Sequence, residues 1–184
     1  MADSINQQVV RWSEGKVGQQ VGAGECWDLA DRALKASGGN SSTTTGKDDD
    51  YVWGTAVTST QVVPGDILQF RNYTVTTTTT TKITFDDDSG SEETKTESEK
   101  RPHHTAVVSR SLSPFALEII EQNAPPAGRK VQRHILAIKG ASSTTTERKT
   151  MKDSSGKLRP AKVETSVEVE VSGNLWIYRP TAAK

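Results

Sequence analysis

The sequence predicts an α+β domain in which N-terminal helices pack on an antiparallel β-sheet. Two segments with helical periodicity come first, near residues 4–13 and 25–37, and strand-like segments separated by turn residues follow. Helices that precede a run of strands are typical of the α+β class. With 184 residues, the chain is long enough for one domain with its own core. We therefore predict a single domain over residues 1–184.

Both predicted helices have clear ends. Ser4 is a good N-terminal cap for the first helix, whose apolar residues recur at helical spacing. The second helix begins near Glu25, after a glycine-rich loop, and ends before Gly38-Gly39, a common C-terminal stop. Its apolar positions form the stripe of a helix that lies on a core: Cys26, Leu29, Ala30, Ala33 and Leu34.

The predicted strands occupy the rest of the chain. Pro64-Gly65 turns the chain into the apolar segment DILQF, and HHTAVV, FALEIIEQN and VQRHILAIK are further strands. Valines alternate with polar residues over 163–171, which indicates a strand with one face in water. LWIYRP closes the chain.

Three low-complexity segments lie between these elements, at about 40–50, 74–101 and 141–160. Threonine favours strands and DDSG is typical of a hairpin tip, so we expect the second segment to be a protruding hairpin with a frayed or disordered end. We expect the other two to be expanded loops, because segments almost without apolar side chains cannot offset the entropy of ordering.

Composition excludes several classes of function. Lys plus Arg and Asp plus Glu are 23 each, and aromatics are 5%, so no basic surface for nucleic acid is expected. No apolar run is long enough to span a membrane, the N-terminus lacks the pattern of a signal peptide, and the lone cysteine fits a reducing compartment. The histidines and the cysteine lack metal-ligand spacing, and there is no phosphate-binding glycine motif. We expect a cytoplasmic monomer without cofactor or metal.

Cys26 is the candidate nucleophile. A thiol reacts as the thiolate, and a helix N-terminus and a neighbouring imidazolium both lower the thiol pKa. Cys26 lies on the first turn of its helix after a loop rich in glycine. The alternative is that Cys26 is a small core residue, since it continues the apolar stripe of the helix.

The candidate partners of Cys26 lie on two later strands. His104 stands at a strand start, where a base can project over a helix N-terminus, although an isolated histidine there is more often a surface residue. Glu121 and Asn123 share a strand face with Leu117 and Ile119, which indicates an inward face whose polar groups need partners. Orienting an imidazole is one such role. The alternative is that the strand has already emerged into solvent.

These segments, in their order, resemble the CHAP and NlpC-type branch of the papain superfamily. The resemblance rests on GECWDLADRAL, PGDILQF, HHTAVV, IIEQN and LWIYRP, and it covers most of the chain outside the low-complexity segments. It implies that Cys26 is the nucleophile, that His104 is the base, and that Glu121 orients the base. It also implies that Asn123 assists the base or the oxyanion.

The chain departs from this branch at Glu25, where CHAP enzymes usually have glutamine. A carboxylate there opposes thiolate formation and crowds an anionic intermediate. Gln20, six residues before Cys26, has the offset that papain-type enzymes use for their oxyanion glutamine.

A narrower resemblance involves VGAGECWDLA, YVWG, PGDILQF, HHTAVV and IYRP. These phrases are similar to the cysteine-proteinase-fold domain found at the C-terminus of some fungal cortical actin-patch proteins. The resemblance implies a protein or peptide partner and a cytoplasmic location, with cortical actin as the site. Two hypotheses follow, an interaction module that keeps the old active-site residues and an active thiol hydrolase. Glu25, the long insertions and the missing leader favour the module, which is the function that we expect. The complete set of polar residues favours the alternative, the enzyme.

Overall fold

A computed structural model describes residues 4–44, 46 and 48–183. The chain divides into two compact units. We call the described part of residues 1–74, 100–138 and 172–184 the core unit, and residues 75–99 and 139–171 the hairpin unit. Thr45 and Lys47, which belong to the predicted loop at 40–50, lie outside the described residues. That the chain folds as one domain stays a prediction.

The two helices form where the sequence predicts them. Helix α1 spans Ile5–Glu14, and Ser4 caps it in a reciprocal arrangement in which the Ser4 and Gln7 side chains each accept from the other residue's backbone N–H. Helix α2 spans Cys26–Ala36. The buried residues of α2 include four of the five in the predicted stripe: Leu29, Ala30, Ala33 and Leu34.

In the residues that the structure describes, seven strands form one sheet. They are β1 (Thr55–Val57), β2 (Ile67–Phe85), β3 (Gly90–Ser113), β4 (Ala116–Glu121), β5 (Gln132–Ala137), β6 (Ala141–Lys152) and β7 (Leu158–Arg179). The strand order is β1-β7-β2-β3-β4-β5, and β6 also pairs with β7. The β1–β7, β3–β4, β4–β5 and β6–β7 pairs are antiparallel. An antiparallel sheet with two helices is the predicted α+β arrangement, although strands account for more of the chain than the sequence indicates.

The hydrophobic core of the core unit joins both helices to the sheet. Val9 of α1, Leu34 of α2, Ile67 of β2 and Ile120 of β4 belong to one buried cluster, and Trp53 is its largest fully buried side chain. Burial of apolar surface is the main driving force for this packing. The cluster lies directly beneath the N-terminus of α2, because Trp27 packs 6.1 Å from Trp53, centroid to centroid.

The hairpin unit corrects the expectation of loops and frayed ends. The predicted insertion at 74–101 is strand in β2 and β3, and most of 141–160 is strand in β6 and β7. Hydroxyl pairs hold the threonine tract together, with oxygens 3.2 Å apart in Thr76–Ser98, 3.3 Å in Thr78–Thr96 and 3.1 Å in Thr80–Thr94. Cross-strand threonine pairs stabilise a sheet without an apolar core. The predicted tip is confirmed, since the turn closes where the Phe85 N–H donates to the Ser89 carbonyl.

The described part of the segment at 40–50 has no regular helix or strand, as predicted. It is nevertheless tied to the core unit. Arg71 Nε donates to Asp50 over 2.8 Å, and the Ser41 hydroxyl donates to the buried Asp31 carboxylate over 2.5 Å.

Excising the hairpin unit tests whether the core unit folds by itself. The hydroxyl pairs place Thr74 opposite Lys100, so a two-residue Asn-Gly turn can join them, and a short Gly-Ser segment can join residues 138 and 172. We expect one cooperative thermal transition within about 5 °C of the full chain, because the core unit is compact by itself. Calorimetry measures it, and loss of cooperativity would show that both units fold as one domain.

Candidate active site

Cys26 is the first residue of α2, at the positive end of the helix dipole. The backbone N–H groups of Trp27 and Thr105 hydrogen-bond its sulfur. Because Thr105 follows His104 on β3, the strand that carries the histidine also holds the thiol. Cys26 is half-buried, so its sulfur is supported from the protein side and still borders an open cleft.

His104 joins the thiol to a carboxylate. Its ring is buried, and Nε2 lies 2.9 Å from Glu121 Oε2. The Cys26 thiol hydrogen-bonds the same ring. Since Nε2 is taken by Glu121, Nδ1 faces the sulfur. The structure therefore brings together three of the predicted site residues in the order Cys26, His104, Glu121.

Glu121 is the last residue of β4 and has no exposed surface. Arg101 holds it with two hydrogen bonds, Nε to Oε2 at 3.0 Å and Nη2 to Oε1 at 2.9 Å. The Gln132 amide adds a third at 3.2 Å. A buried carboxylate needs such partners, and a bidentate arginine also fixes the plane of the carboxylate. Arg101 thus orients the oxygen that faces His104.

The environment shifts the pKa of all three groups toward their charged forms. Burial alone would raise the pKa of Glu121, but the His104 hydrogen bond and the His104 and Arg101 charges lower it to about 2. Burial would lower the pKa of His104, but hydrogen bonds to Cys26 and Glu121 and their negative charges raise it. Burial would raise the pKa of Cys26, but His104 and the two backbone N–H groups lower it. Both shifts favour the charged pair, a thiolate beside an imidazolium, over the neutral pair.

Gln122 holds the loop that leads to the nucleophile. Its amide is fully buried; Oε1 accepts from the Val21 N–H at 2.7 Å, and Nε2 donates to the carbonyls of Val21 at 2.9 Å and Glu25 at 2.8 Å. The Asp28 carboxylate accepts from the N–H groups of Ala23 and Glu25 and caps α2. The glycine-rich loop is therefore fastened to the end of β4, next to Glu121.

Two predicted site residues lie elsewhere. Asn123 follows β4 with a φ of 63°, so it does not continue the strand face of Glu121. Its amide donates to Glu25 Oε2 at 2.7 Å. Gln20 is exposed, and its amide donates to the Gly22 carbonyl at 3.5 Å. The roles that the resemblance implies for these two residues stay predictions.

Glu25 does not close the site. Its side chain is 50% exposed, lies 3.7 Å from Arg129 and accepts from Asn123. The cleft beside Cys26 has a volume of about 380 Å³ and is lined by Glu25, Cys26, Trp27, Asp28, Tyr51, His103 and Asn123. The Tyr51 and His103 rings pack at a tilt of 42° with centroids 5.1 Å apart, and His103 Nε2 contacts the Asp49 carbonyl at 2.7 Å. The lining therefore combines aromatic and acidic side chains.

Sequence reasoning missed Arg101, Gln122 and Gln132. Strict strand alternation places Arg101 and His104 on opposite faces, so nothing in the pattern pairs them with one carboxylate. Gln122 lies between Glu121 and Asn123, which were both identified from the sequence. The same signal could have identified Gln122, because a polar group that faces inward needs a partner. Gln132 lies opposite Glu121 in the β4–β5 register, which only the sheet pairing reveals.

The fold and the site together define a cysteine-proteinase-fold domain, with an antiparallel sheet, two helices and a helix-borne cysteine facing a strand-borne histidine. The chain belongs to the AIM3/BBC1 cysteine proteinase-fold domain family, whose model matches residues 1–184. This confirms the narrower of the two resemblances.

A curated relative matches a short part of the chain. It is "Altered inheritance of mitochondria protein 3" of Debaryomyces hansenii, 57% identical over 35 residues, which are 18% of this chain and 4% of that protein. The chain therefore corresponds to a small fraction of the relative's length. No solved structure matches the chain.

No helix in 4–44, 46 and 48–183 is long and apolar enough to cross a membrane. Within the same residues, no group of three or more His, Cys, Asp or Glu side chains is placed to hold a metal ion.

The buried Glu121 charge predicts a contribution to acid stability. Its folded pKa of about 2 lies below the ordinary 4.5, so the stabilisation is fully present above about pH 4.5 and is lost as pH falls toward 2. Replacing the pair together, as Arg101→Met with Glu121→Leu, removes that part of the pH dependence without leaving one charge buried alone. Urea unfolding between pH 2 and 6 measures it; parallel curves for wild type and double variant would contradict it.

Proposed function

We propose that this domain is a thiol hydrolase of the CHAP and NlpC type, acting on an amide or isopeptide bond through an acyl-enzyme on Cys26. The observation that carries the proposal is His104, buried between the Cys26 thiol and the Glu121 carboxylate. A cysteine kept only as a core residue needs neither a buried histidine nor a carboxylate behind that histidine. Such a constellation costs desolvation energy, which a purely structural role does not require.

The proposed reaction has two halves, the acylation of Cys26 and the hydrolysis of the acyl-enzyme, and each group acts once in each. The Cys26 thiolate attacks the carbonyl carbon, and the His104 imidazolium gives its proton to the leaving amine as the carbon–nitrogen bond breaks. Neutral His104 then takes a proton from water, which attacks the thioester and releases the acid and the Cys26 thiolate. Glu121, held by Arg101, stays ionised and stabilises the imidazolium in both halves.

In this proposal, a backbone N–H group stabilises the oxyanion. The first N–H groups of a helix have no intrahelical acceptor, so the Cys26 N–H at the start of α2 is available to a negatively charged oxygen. Glu25 is drawn to Arg129 and Asn123, which supports an open position for the substrate.

The second candidate is an interaction module that binds a protein or peptide segment in the cleft of a cytoplasmic, actin-patch-type scaffold. The observation that favours it is Glu25, an acidic side chain adjacent to the nucleophile where an active enzyme benefits from a neutral donor. In that case the Cys26–His104 contact is a packed polar pair, and the aromatic wall of Trp27 and Tyr51 supplies the binding surface.

Alkylation of Cys26 separates a reactive thiol from a structural one. At pH 6 we expect iodoacetamide to react with the native chain faster than with a free thiol, because the lowered Cys26 pKa and raised His104 pKa favour the thiolate there. His104→Ala should slow the reaction about tenfold or more. His134→Ala, the same change on β5, serves as the matched control. A rate that follows an ordinary thiol and ignores His104→Ala contradicts the proposal.

Turnover decides between the two candidates. The purified chain is assayed against ubiquitin-like conjugates, peptidoglycan and generic amide substrates, with Cys26→Ala as the control. We expect turnover that is lost in Cys26→Ala and that rises several-fold, up to about tenfold, in Glu25→Gln, because this change removes a negative charge beside the developing oxyanion. Glutamine keeps an acceptor for Asn123. A reactive thiol with no turnover on any substrate in either form favours the interaction module.

A further inference from the structure

The hairpin unit ends in two open strand edges. Strand β6 pairs with β7 from Ala141 opposite Val169 to Lys152 opposite Leu158, without a register shift. In the described part of the chain, β7 is the only strand that pairs with β6. On the far side, β3 pairs with β2, and its β4 partners begin at Ala106. Residues 90–98 of β3 therefore form the second edge of this sheet.

Both edges lack three of the features that usually prevent strand addition, namely proline, a covering element and a short strand length. Both segments are exposed over nearly their whole length, and neither contains proline. At 12 residues, β6 is about twice as long as a common strand. Open, regular edges of this length present unpaired N–H and C=O groups in a row, which is a template for another strand.

The two edges carry opposite charge. Strand β6 has three basic residues and one acidic residue: Glu147, Arg148, Lys149 and Lys152. Residues 90–98 of β3 have three acidic residues and one basic residue: Glu92, Glu93, Lys95 and Glu97. The β6 edge of one copy and the β3 edge of another are therefore electrostatically complementary. Two β6 edges, or two β3 edges, repel each other.

One antiparallel register pairs these charges directly. If the two strands are aligned at their hairpin ends, Lys152 stands opposite Gly90. Counting along both strands then places Lys149 opposite Glu93 and Glu147 opposite Lys95, with no like charges facing each other. Since both faces of the strands are polar, the hydrophobic pattern cannot specify a register, and the charges are left to do so.

We propose that β6 of one copy of this chain pairs with residues 90–98 of β3 of the next copy, in the register that joins Lys149 to Glu93 and Glu147 to Lys95. The two surfaces are different, so the contact is head-to-tail and each copy keeps one edge open for a further copy. This contact is independent of Cys26 chemistry, and it differs from the monomer that the sequence predicts.

Charge-conserving swaps test the contact on the complete chain. One variant exchanges the β6 charges (Glu147→Lys with Lys149→Glu), and the other exchanges the β3 charges (Glu93→Lys with Lys95→Glu). In each variant, residues of like charge face each other at both positions of the interface, and the net charge of the chain is unchanged. The matched control exchanges Lys162 and Glu164, an ion pair with the same spacing on the inner strand β7.

Sedimentation over a range of concentrations gives the association constant. We expect the wild type and the control to form assemblies larger than a dimer as concentration rises. The association constant of each edge variant should be lower than that of the wild type by about tenfold or more. Combining both swaps in one chain, or mixing the two edge variants in equal amounts, should restore wild-type association, because every interface again joins opposite charges. High salt should reduce the differences.

Three results would overturn the proposal. A sedimenting mass equal to that of the monomer at every concentration would agree with the predicted monomer. The open edges would then be available to a strand from a different protein. Assembly that stops at a dimer would indicate a two-fold contact instead of a head-to-tail one. Edge variants that associate as tightly as the wild type would show that copies meet through another surface.

Discussion

Glu121 carries a negative charge into the interior of the core unit, and the arrangement of the site follows from the need to compensate it. Leaving one member of a buried ion pair alone costs about 3–5 kcal/mol, so Arg101 and His104 must both be in place when β4 packs. The protonated histidine then favours a thiolate on its other side. The result is a row of alternating charge, in which His104 and then Arg101 compensate Glu121 and the reactive end faces the cleft.

The end of β4 connects this row of charges to the nucleophile's helix. Glu121 faces the histidine, and the next residue, Gln122, binds the backbone on both sides of the glycine-rich loop. Glu121 and Gln122 thus fix the positions of the base and of the start of α2 relative to the same strand, β4. This gives a physical reason for a buried glutamine: backbone amides in a loop next to a core need partners, and a side-chain amide supplies both a donor and an acceptor. A shift of β4 would move Cys26 and His104 together.

The hairpin unit follows a different rule from the core unit. Its strands bury few apolar side chains, and cross-strand threonine and serine hydroxyls pair along the sheet instead. At its tips, Arg159 lies over the Phe85 ring and pairs with Asp87. A hydrogen bond from Ser89 and, second, the Arg159 pair lower the pKa of Asp87 to about 2. The unit buries only a few apolar side chains, among them Phe85, Ala161 and Val163, and keeps its two outer strands exposed. Exposed outer strands suit a surface for binding strands better than a scaffold for a catalytic site.

The sequence by itself determined the elements that depend on local patterns. The cap at Ser4, the apolar stripe of α2, the turn at Pro64-Gly65 and the alternating strand near 163–171 rest on spacing over a few residues. Cys26, His104 and Glu121 could also be identified in advance, because a cysteine at a helix start and polar residues on an inward strand face each imply a partner. The expectations of a loop at 141–160 and of a frayed end in the hairpin at 74–101 were wrong, since low apolar content was weighed more heavily than strand propensity and cross-strand pairing.

Only the tertiary structure decided which polar groups meet. Arg101 reaches Glu121 although strand alternation separates it from His104, Gln132 is brought in by the β4–β5 register, and Asn123 leaves the strand face through a positive φ. These contacts join residues far apart in the chain, and no local pattern encodes them. Burial turns such contacts into shifted pKa values, so the charge state of Cys26 is a property of the folded site and not of the motif around it.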